Sequence, residues 1–258
     1  MITDFAEAVS ARVNEYLNLR IGRHTIAAPY FANYIGMMFV QLMRDHGVAE
    51  ESIQKMSAAY KNKEVPFGWY RGKGTPEEII NTTKELADFY GLDLAAVTSE
   101  GLVEFMKFYG IGIDCSGFVY ELLRYGAESL DMVDQLNDSL SWIDPEKVGR
   151  DYAGTFVFAG EGSQVISPND VAALDLVITK DKNAKYDHVG MFIKEGEELY
   201  LVQSTLALLP TGVSKSKVKT LSQDKIDLGY ESNFGSDHTK MYREGVLEFR
   251  RLKFIDAL

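Results

Sequence analysis

The chain has 258 residues, of which 46% are hydrophobic and 12% aromatic, enough apolar material for a substantial core and too much for a disordered chain. Its formal charge of -11 excludes a surface that gathers phosphates by electrostatics, so neither nucleic acid nor an anionic lipid surface is an expected partner. The single cysteine, Cys115, excludes an internal disulfide framework and leaves one free thiol.

The opening stretch MITDFAEAVSARVNEYL lacks the basic leader, apolar centre and small-residue cleavage site of a secretory signal. It reads as a helix instead, with Phe5, Val9, Val13 and Leu17 along one stripe. The most apolar window, YIGMMFVQLM at 34–43, is far shorter than the roughly 20 residues of a membrane span. A cytoplasmic protein is expected, with export by another route left open. A second helix is expected over 34–46, stopping at Gly47, and a third over 51–61. In GKGTPEEII, Thr75 is placed to cap a helix, Pro76 needs no amide partner in the first turn, and Glu78 completes a capping box. That helix should close near Gly91. The next opens after Ser99, turns Leu102, Phe105, Met106 and Tyr109 inward and closes at Gly110. Residues 1–95 thus read as a mostly helical region or insertion, and 96–258 as a second unit.

Beyond Gly126 a loop-rich stretch leads to short runs with strand character: LDLVITK at 174–180, HVGMFIK at 188–194, LYLVQS at 199–204 and VLEFRRLKF at 246–254. Helices first and adjacent strands later predict an α+β fold with an antiparallel sheet.

The segment GIGIDCSGFVYELL at 110–123 carries the cysteine. Phe118, Val119, Leu122 and Leu123 mark one apolar helical face ending at Gly126, with Asp114 at the N-cap and Cys115 in the first turn. Free amides and the helix dipole favour an anion there, so the thiol ionises more readily. Gly117 leaves room for a substrate backbone or a neighbouring strand to approach. A lone intracellular cysteine is more often a small buried hydrophobe, and the surrounding motif raises the other reading. Asp-Cys-Ser-Gly-Phe-Val before an apolar helix resembles the nucleophile segment of the NlpC family of papain-like cysteine peptidases. The likeness covers mainly residues 99–204 and a closing strand at 246–254. It implies a papain-like fold, with the nucleophile helix packed on a central antiparallel sheet.

A thiol nucleophile needs a base. Of the four histidines, His24 and His46 fall in the helical region and His238 in a polar stretch that reads as a solvated loop. His188 opens His188-Val189-Gly190, which resembles the family's His-Val-Gly strand. The family's preceding strand is written Gly-Asp-Leu, and here Leu174 stands in place of that glycine. With Glu195-Gly196 as a two-residue turn, Lys194 faces Glu197 and His188 faces Gln203, whose Cβ atoms would lie about 5 Å apart. Gln203 is then the orienter of the imidazole; a slip of one residue would offer Ser204 instead. The backbone amide of Cys115 is one donor for an oxyanion. The resemblance implies a tyrosine as well, for which Pro29-Tyr30 is preferred and Tyr70 is the alternative.

GWYRGKGT lacks the spacing and the serine or threonine of a phosphate loop, and no group of histidines and cysteine has zinc spacing. No nucleotide, metal or other cofactor is expected. The resemblance implies a thiol hydrolase acting on peptidoglycan stem peptides or related γ-glutamyl peptides through Cys115, His188 and Gln203, with Asp114 and Ser116 binding a substrate amine. An acyltransferase or amidase on another amide, and a catalytically silent binding domain, are the alternatives.

Overall fold

The computed structural model describes residues 1–31, 50, 54, 72–89, 91–141, 149–206, 212–231 and 237–258. The expected helices at 34–46 and 51–61, except for Gln54, lie outside these residues, as do His46 and Tyr70.

Helix α1 (Ile2–Leu17) leads into a hairpin of β1 (Leu19–Ile21) and β2 (His24–Ile26). Helices α2 (Pro76–Phe89), α3 (Ser99–Phe108), α4 (Cys115–Glu128) and α5 (Val133–Leu140) follow, then the single turn α6 (Thr155–Phe158). Strands β3 (Ser163–Ile166), β4 (Leu176–Lys180), β5 (Tyr186–Glu195), β6 (Glu198–Thr205) and β7 (Gly212–Lys217) come next. The ribbon β8 (Thr220–Leu221) and β9 (Ile226–Asp227), helix α7 (His238–Arg243), strand β10 (Leu247–Leu252) and helix α8 (Lys253–Asp256) complete the described order.

Six strands form one antiparallel sheet in the order β3-β10-β4-β5-β6-β7, so the fold is α+β. Alternation along the strands divides the buried residues between two faces. Ile178, Val189, Met191 and Val202 face the core built on α1 and α4, whereas Val177, Phe192, Leu201 and Phe249 face Leu228 and Met241. Helix α4 packs on β5 and β6, which brings its N-terminus to the sheet.

The described N-terminal elements pack with later ones. Phe5, Val9, Val13 and Tyr16 of α1 belong to the same core as Phe118 and Leu122 of α4, and the ring of Phe5 lies 5.8 Å from that of Phe254 near the C-terminus. Among the described residues, the N-terminal part of the chain is therefore a layer of one core. It is also less helical than its periodicity implied, since 19–26 form a hairpin. Gly126 does not end its helix, which runs on to Glu128; it gives Phe5 room, because a Cβ there would sit 2.8 Å from that ring.

Other local signals act as read. Glu78 N donates to Thr75 Oγ1 at 3.2 Å and Thr75 N to Glu78 Oε2 at 2.9 Å, the reciprocal capping box of α2. Leu174 has φ of 73°. A left-handed conformation suits glycine and strains leucine; here the leucine side chain is buried in the core, which offsets that strain. The neighbouring Asp175 is fully buried and accepts from Arg251 Nε and Nη2, both at 2.7 Å, tying β10 to the entrance of β4. Among the described residues no helix is long and apolar enough to cross a membrane.

Candidate active site

Asp114 caps α4 by accepting from Gly117 N at 2.5 Å, and Cys115 is the first helical residue. The segment leading to it is clamped on both sides. Ile113 N donates to Pro29 O at 3.0 Å and Phe31 N to Ile113 O at 3.2 Å, so that Tyr30 bridges Ile113 in parallel. On the other side Lys73 bridges Ile113 in antiparallel fashion, with Asp114 N donating to Gly72 O at 2.8 Å. Ser204 of β6 adds a hydroxyl bond to Ile113 O at 2.7 Å. Ser204 thus holds the segment leading to Cys115 and leaves the imidazole to Gln203.

His188 arrives through an irregularity in β5. Thr179 pairs with His188 and Lys180 with Tyr186, which leaves Asp187 as an extra residue in a bulge. Bulges re-aim the side chains beside them. The Asp187 side chain is held by the Thr179 hydroxyl at 3.0 Å, and its carbonyl oxygen lies 3.9 Å from Cys115 Sγ. The next residue, His188, and the Cys115 thiol shift each other's ionisation. Its Nε2 meets Gln203 Oε1 at 2.7 Å. An amide oxygen only accepts, so Nε2 carries the proton and Nδ1 is the nitrogen left for sulfur.

The partnership with Gln203 is the expected one, but the register is not. Met191 pairs with Val202 and Glu195 with Glu198, so the turn is Gly196-Glu197 and the strands are offset by two residues from the expected pairing. An offset of two keeps every side chain on its face, and the contact becomes a diagonal one. Gly190 makes the diagonal passable, for a Cβ there would lie 3.3 Å from Gln203 Cβ and 2.9 Å from Leu201 Cδ1.

The electrostatics of the pair follow from these contacts. Burial works against the thiolate, but hydrogen bonding to His188, the charge of His188 and the Val189 amide outweigh it and lower the pKa of Cys115, with Asp114 opposing. Burial likewise disfavours the imidazolium, yet bonding to Cys115 and Gln203 raises the pKa of His188 overall. The two shifts move toward each other and favour a thiolate beside an imidazolium.

Two residues in contact with this centre carried no sequence signal that was read as functional. Thr155, in the first turn of α6, has its hydroxyl 3.8 Å from Cys115 Sγ. Lys73 is buried, at 3% exposure, and its Nζ donates to Asp114 Oδ1 at 2.8 Å, Asp114 Oδ2 at 3.0 Å, Ser116 Oγ at 2.6 Å and Ala153 O at 2.8 Å. The expectation that Asp114 and Ser116 hold a substrate amine changes accordingly: the cation they hold is the chain's own. Gly117 serves the same contact, since a Cβ there would fall 2.2 Å from Gly72 O and 2.7 Å from Lys73 Cδ. The close neighbour for which that glycine leaves room is the 72–73 segment. The lysine between two glycines, unsuited to phosphate, had a use elsewhere.

His24 lies on β2, not in a helix, and both ring nitrogens are engaged, Nδ1 with Ser99 Oγ at 3.0 Å and Nε2 with Leu94 O at 3.1 Å. His238 is fully buried in α7 against the ring of Tyr230, 4.8 Å away, and not in a solvated loop; the apolar neighbour Met241 draws its helix onto the sheet. No protein-family model and no curated protein matches the chain.

Proposed function

We propose that the chain is a thiol hydrolase of papain-like type, similar to the NlpC family, that cleaves amide bonds in peptidoglycan stem peptides or related γ-glutamyl peptides. The observation that carries this reading is the convergence of three side chains: Cys115 at a helix start, His188 coupled electrostatically to its thiol, and Gln203 Oε1 at 2.7 Å from His188 Nε2. The nucleophile helix packed against an antiparallel sheet, with the base on a strand of that sheet, supports the same fold family.

In the proposed reaction, the sulfur of Cys115 attacks the amide carbonyl carbon and forms a C–S bond. The amide C–N bond breaks as His188 delivers its proton to the departing nitrogen. Water then attacks the thioester, with His188 taking a proton from it, and the free thiol and a carboxylic acid result. The Cys115 amide lies in the first turn, where the helix offers it no acceptor, and is a donor for the oxyanion. Tyr30, whose backbone bridges Ile113 two residues before the nucleophile, is the second group proposed for that role.

Digestion of defined stem peptides by wild type and Cys115→Ala tests the proposal. Cleavage should fall by about 10⁴-fold or more in the variant, and mass spectrometry should find water, not an added amine, in the product. Equal cleavage by both proteins would refute the nucleophile; incorporation of the amine in preference to water would make the enzyme an acyltransferase.

A further inference from the structure

We infer that Lys73 is the resident cation of the nucleophile site: its ammonium fills the position formed by Asp114 and Ser116, shuts a substrate amine out of it, and supports the anionic sulfur next door. The substrate class follows, resting on the hydrolase reading above. The scissile amide is recognised without a free amino group beside it, so peptides whose amino end is acylated or continues into a longer chain are accepted.

Among the described residues, the polar groups of this cluster are already engaged with one another. An ammonium has three hydrogens, and those of Lys73 are met by a carboxylate, a hydroxyl and the carbonyl of Ala153. Asp114 and Ser116 are each only 4% exposed. The Ser116 hydroxyl accepts from Lys73 and donates in turn to Asp114 Oδ1 at 3.1 Å, so its one proton is committed. The lysine is also fixed from behind. Its carbonyl accepts from Arg150 Nε at 2.8 Å, and Arg150 in turn pairs with Glu78 of the α2 capping box. The carbonyl of Gly74, the next residue, accepts from the buried Tyr16 hydroxyl at 2.8 Å. A side chain anchored in this way is part of the site's wall and not a movable plug.

The same placement bears on the thiol. Asp114 is needed to cap α4, but its negative charge stands one residue from Cys115 and opposes thiolate formation. A cation bonded to both carboxylate oxygens reduces that opposition while the cap is kept. Lys73 is therefore a positioning residue, acting on Cys115 through Asp114.

Two measurements test this on the intact chain. The first follows alkylation of Cys115 by iodoacetamide against pH, for wild type and Lys73→Ala, with and without ethylammonium. The variant's rising limb should move to higher pH, making it about tenfold slower near neutrality, and ethylammonium, but not ethanol, should restore it by occupying the vacated volume. An unshifted limb, or a shifted one that ethylammonium leaves unchanged, overturns the inference. The second needs only the wild type, and so decides the matter should the variant not fold. Stem peptides with free and with acetylated amino ends should be cleaved at rates within about threefold; a preference of about a hundredfold for the free amine overturns the inference. Cleavage of neither peptide would reject the hydrolase reading alone, and the alkylation profile would then decide the role of Lys73.

Discussion

The two sides of the candidate site are built on different principles. On the thiol side, Asp114 accepts from an amide, a hydroxyl and an ammonium, and the approach segment is clamped by Pro29, Phe31, Gly72 and Ser204. On the imidazole side, His188 is half-buried beside a strand bulge, and it is oriented by one diagonal bond. Gln203 is almost fully buried, at 1% exposure, yet its Nε2 makes no hydrogen bond of ordinary length. The phenol of Tyr230 feels that amide only as a modest pull downward on a pKa that burial pushes up to about 12. Among the described residues, the thiol side thus carries more hydrogen bonds than the imidazole side. A nucleophile must be preorganised, whereas a base that serves as acid and base in turn needs some freedom of adjustment.

The sharpest way to break this contrast is to remove the ammonium. Lys73→Met leaves a buried carboxylate without its counter-charge, and loss of one partner of a buried pair costs about 3–5 kcal/mol. Urea unfolding should show that loss as a lower midpoint with little change in slope. A loss below about 1 kcal/mol, the range of an exposed pair, would mean that the thiol side is no more tightly held than the surface. Next in size is His188→Ala. It should slow alkylation of Cys115 near neutral pH by about a hundredfold and raise the pKa of the thiol, because burial and Asp114 then act with less opposition. The sign of the linked stability is set by the raised pKa of His188. The contribution of the imidazole is complete below its unfolded value of 6.5 and is lost as pH rises through the higher folded value. The wild type should therefore lose its stability advantage over the variant as pH climbs above that range, a trend that thermal unfolding across pH would check.

This contrast also explains what was legible in the sequence. Helix α4 is readable because its signals are local: an N-cap aspartate, an apolar face and a glycine within the first turn. The capping box at Thr75 and Glu78 was readable for the same reason. His188 and Gln203 were readable as a pair because strand alternation survives an offset of two residues, even though the turn proved to be Gly196-Glu197. Lys73 was not readable in this way, since no periodicity marks a lysine between glycines as buried. The signal that points to it is chemical: an N-cap aspartate inside an apolar segment needs a cation, and Gly117 leaves space for the chain that brings one. Strand β7, GVSKSK, was missed because an edge strand protected by lysines looks like a polar loop. The hairpin at 19–26 was missed because three residues per strand are too few to show alternation.

Gln203→Ala probes the looser side at smaller amplitude. It removes the acceptor that fixes His188 Nε2–H but leaves thiol and imidazole in contact, so turnover should fall by about tenfold, less than for loss of the base itself. Gln203→Glu should recover part of it, because a carboxylate also accepts from Nε2–H. A loss in Gln203→Ala as large as that in His188→Ala would show that the orienting bond is as essential as the base, and the contrast between the sides would fail.

The smallest effect is expected at Thr75, and it ties helix capping to the site. Thr75 Oγ1 takes one first-turn amide of α2, and Glu78 returns a bond to Thr75 N while also pairing with Arg150, which holds the Lys73 carbonyl. Thr75→Ala removes only the hydroxyl acceptor and should cost about 1 kcal/mol of stability. Since Glu78 still reaches both the Thr75 backbone and Arg150, the lysine should stay in place and the alkylation rate of Cys115 should be unaltered. Glu78→Gln keeps the bond to Thr75 N but weakens the ion pair behind Lys73. Measured side by side, the two variants separate helix stability from site geometry. A change in thiol reactivity in Thr75→Ala would mean that the resident cation depends on the helix start as a whole and not on the Glu78-Arg150 pair.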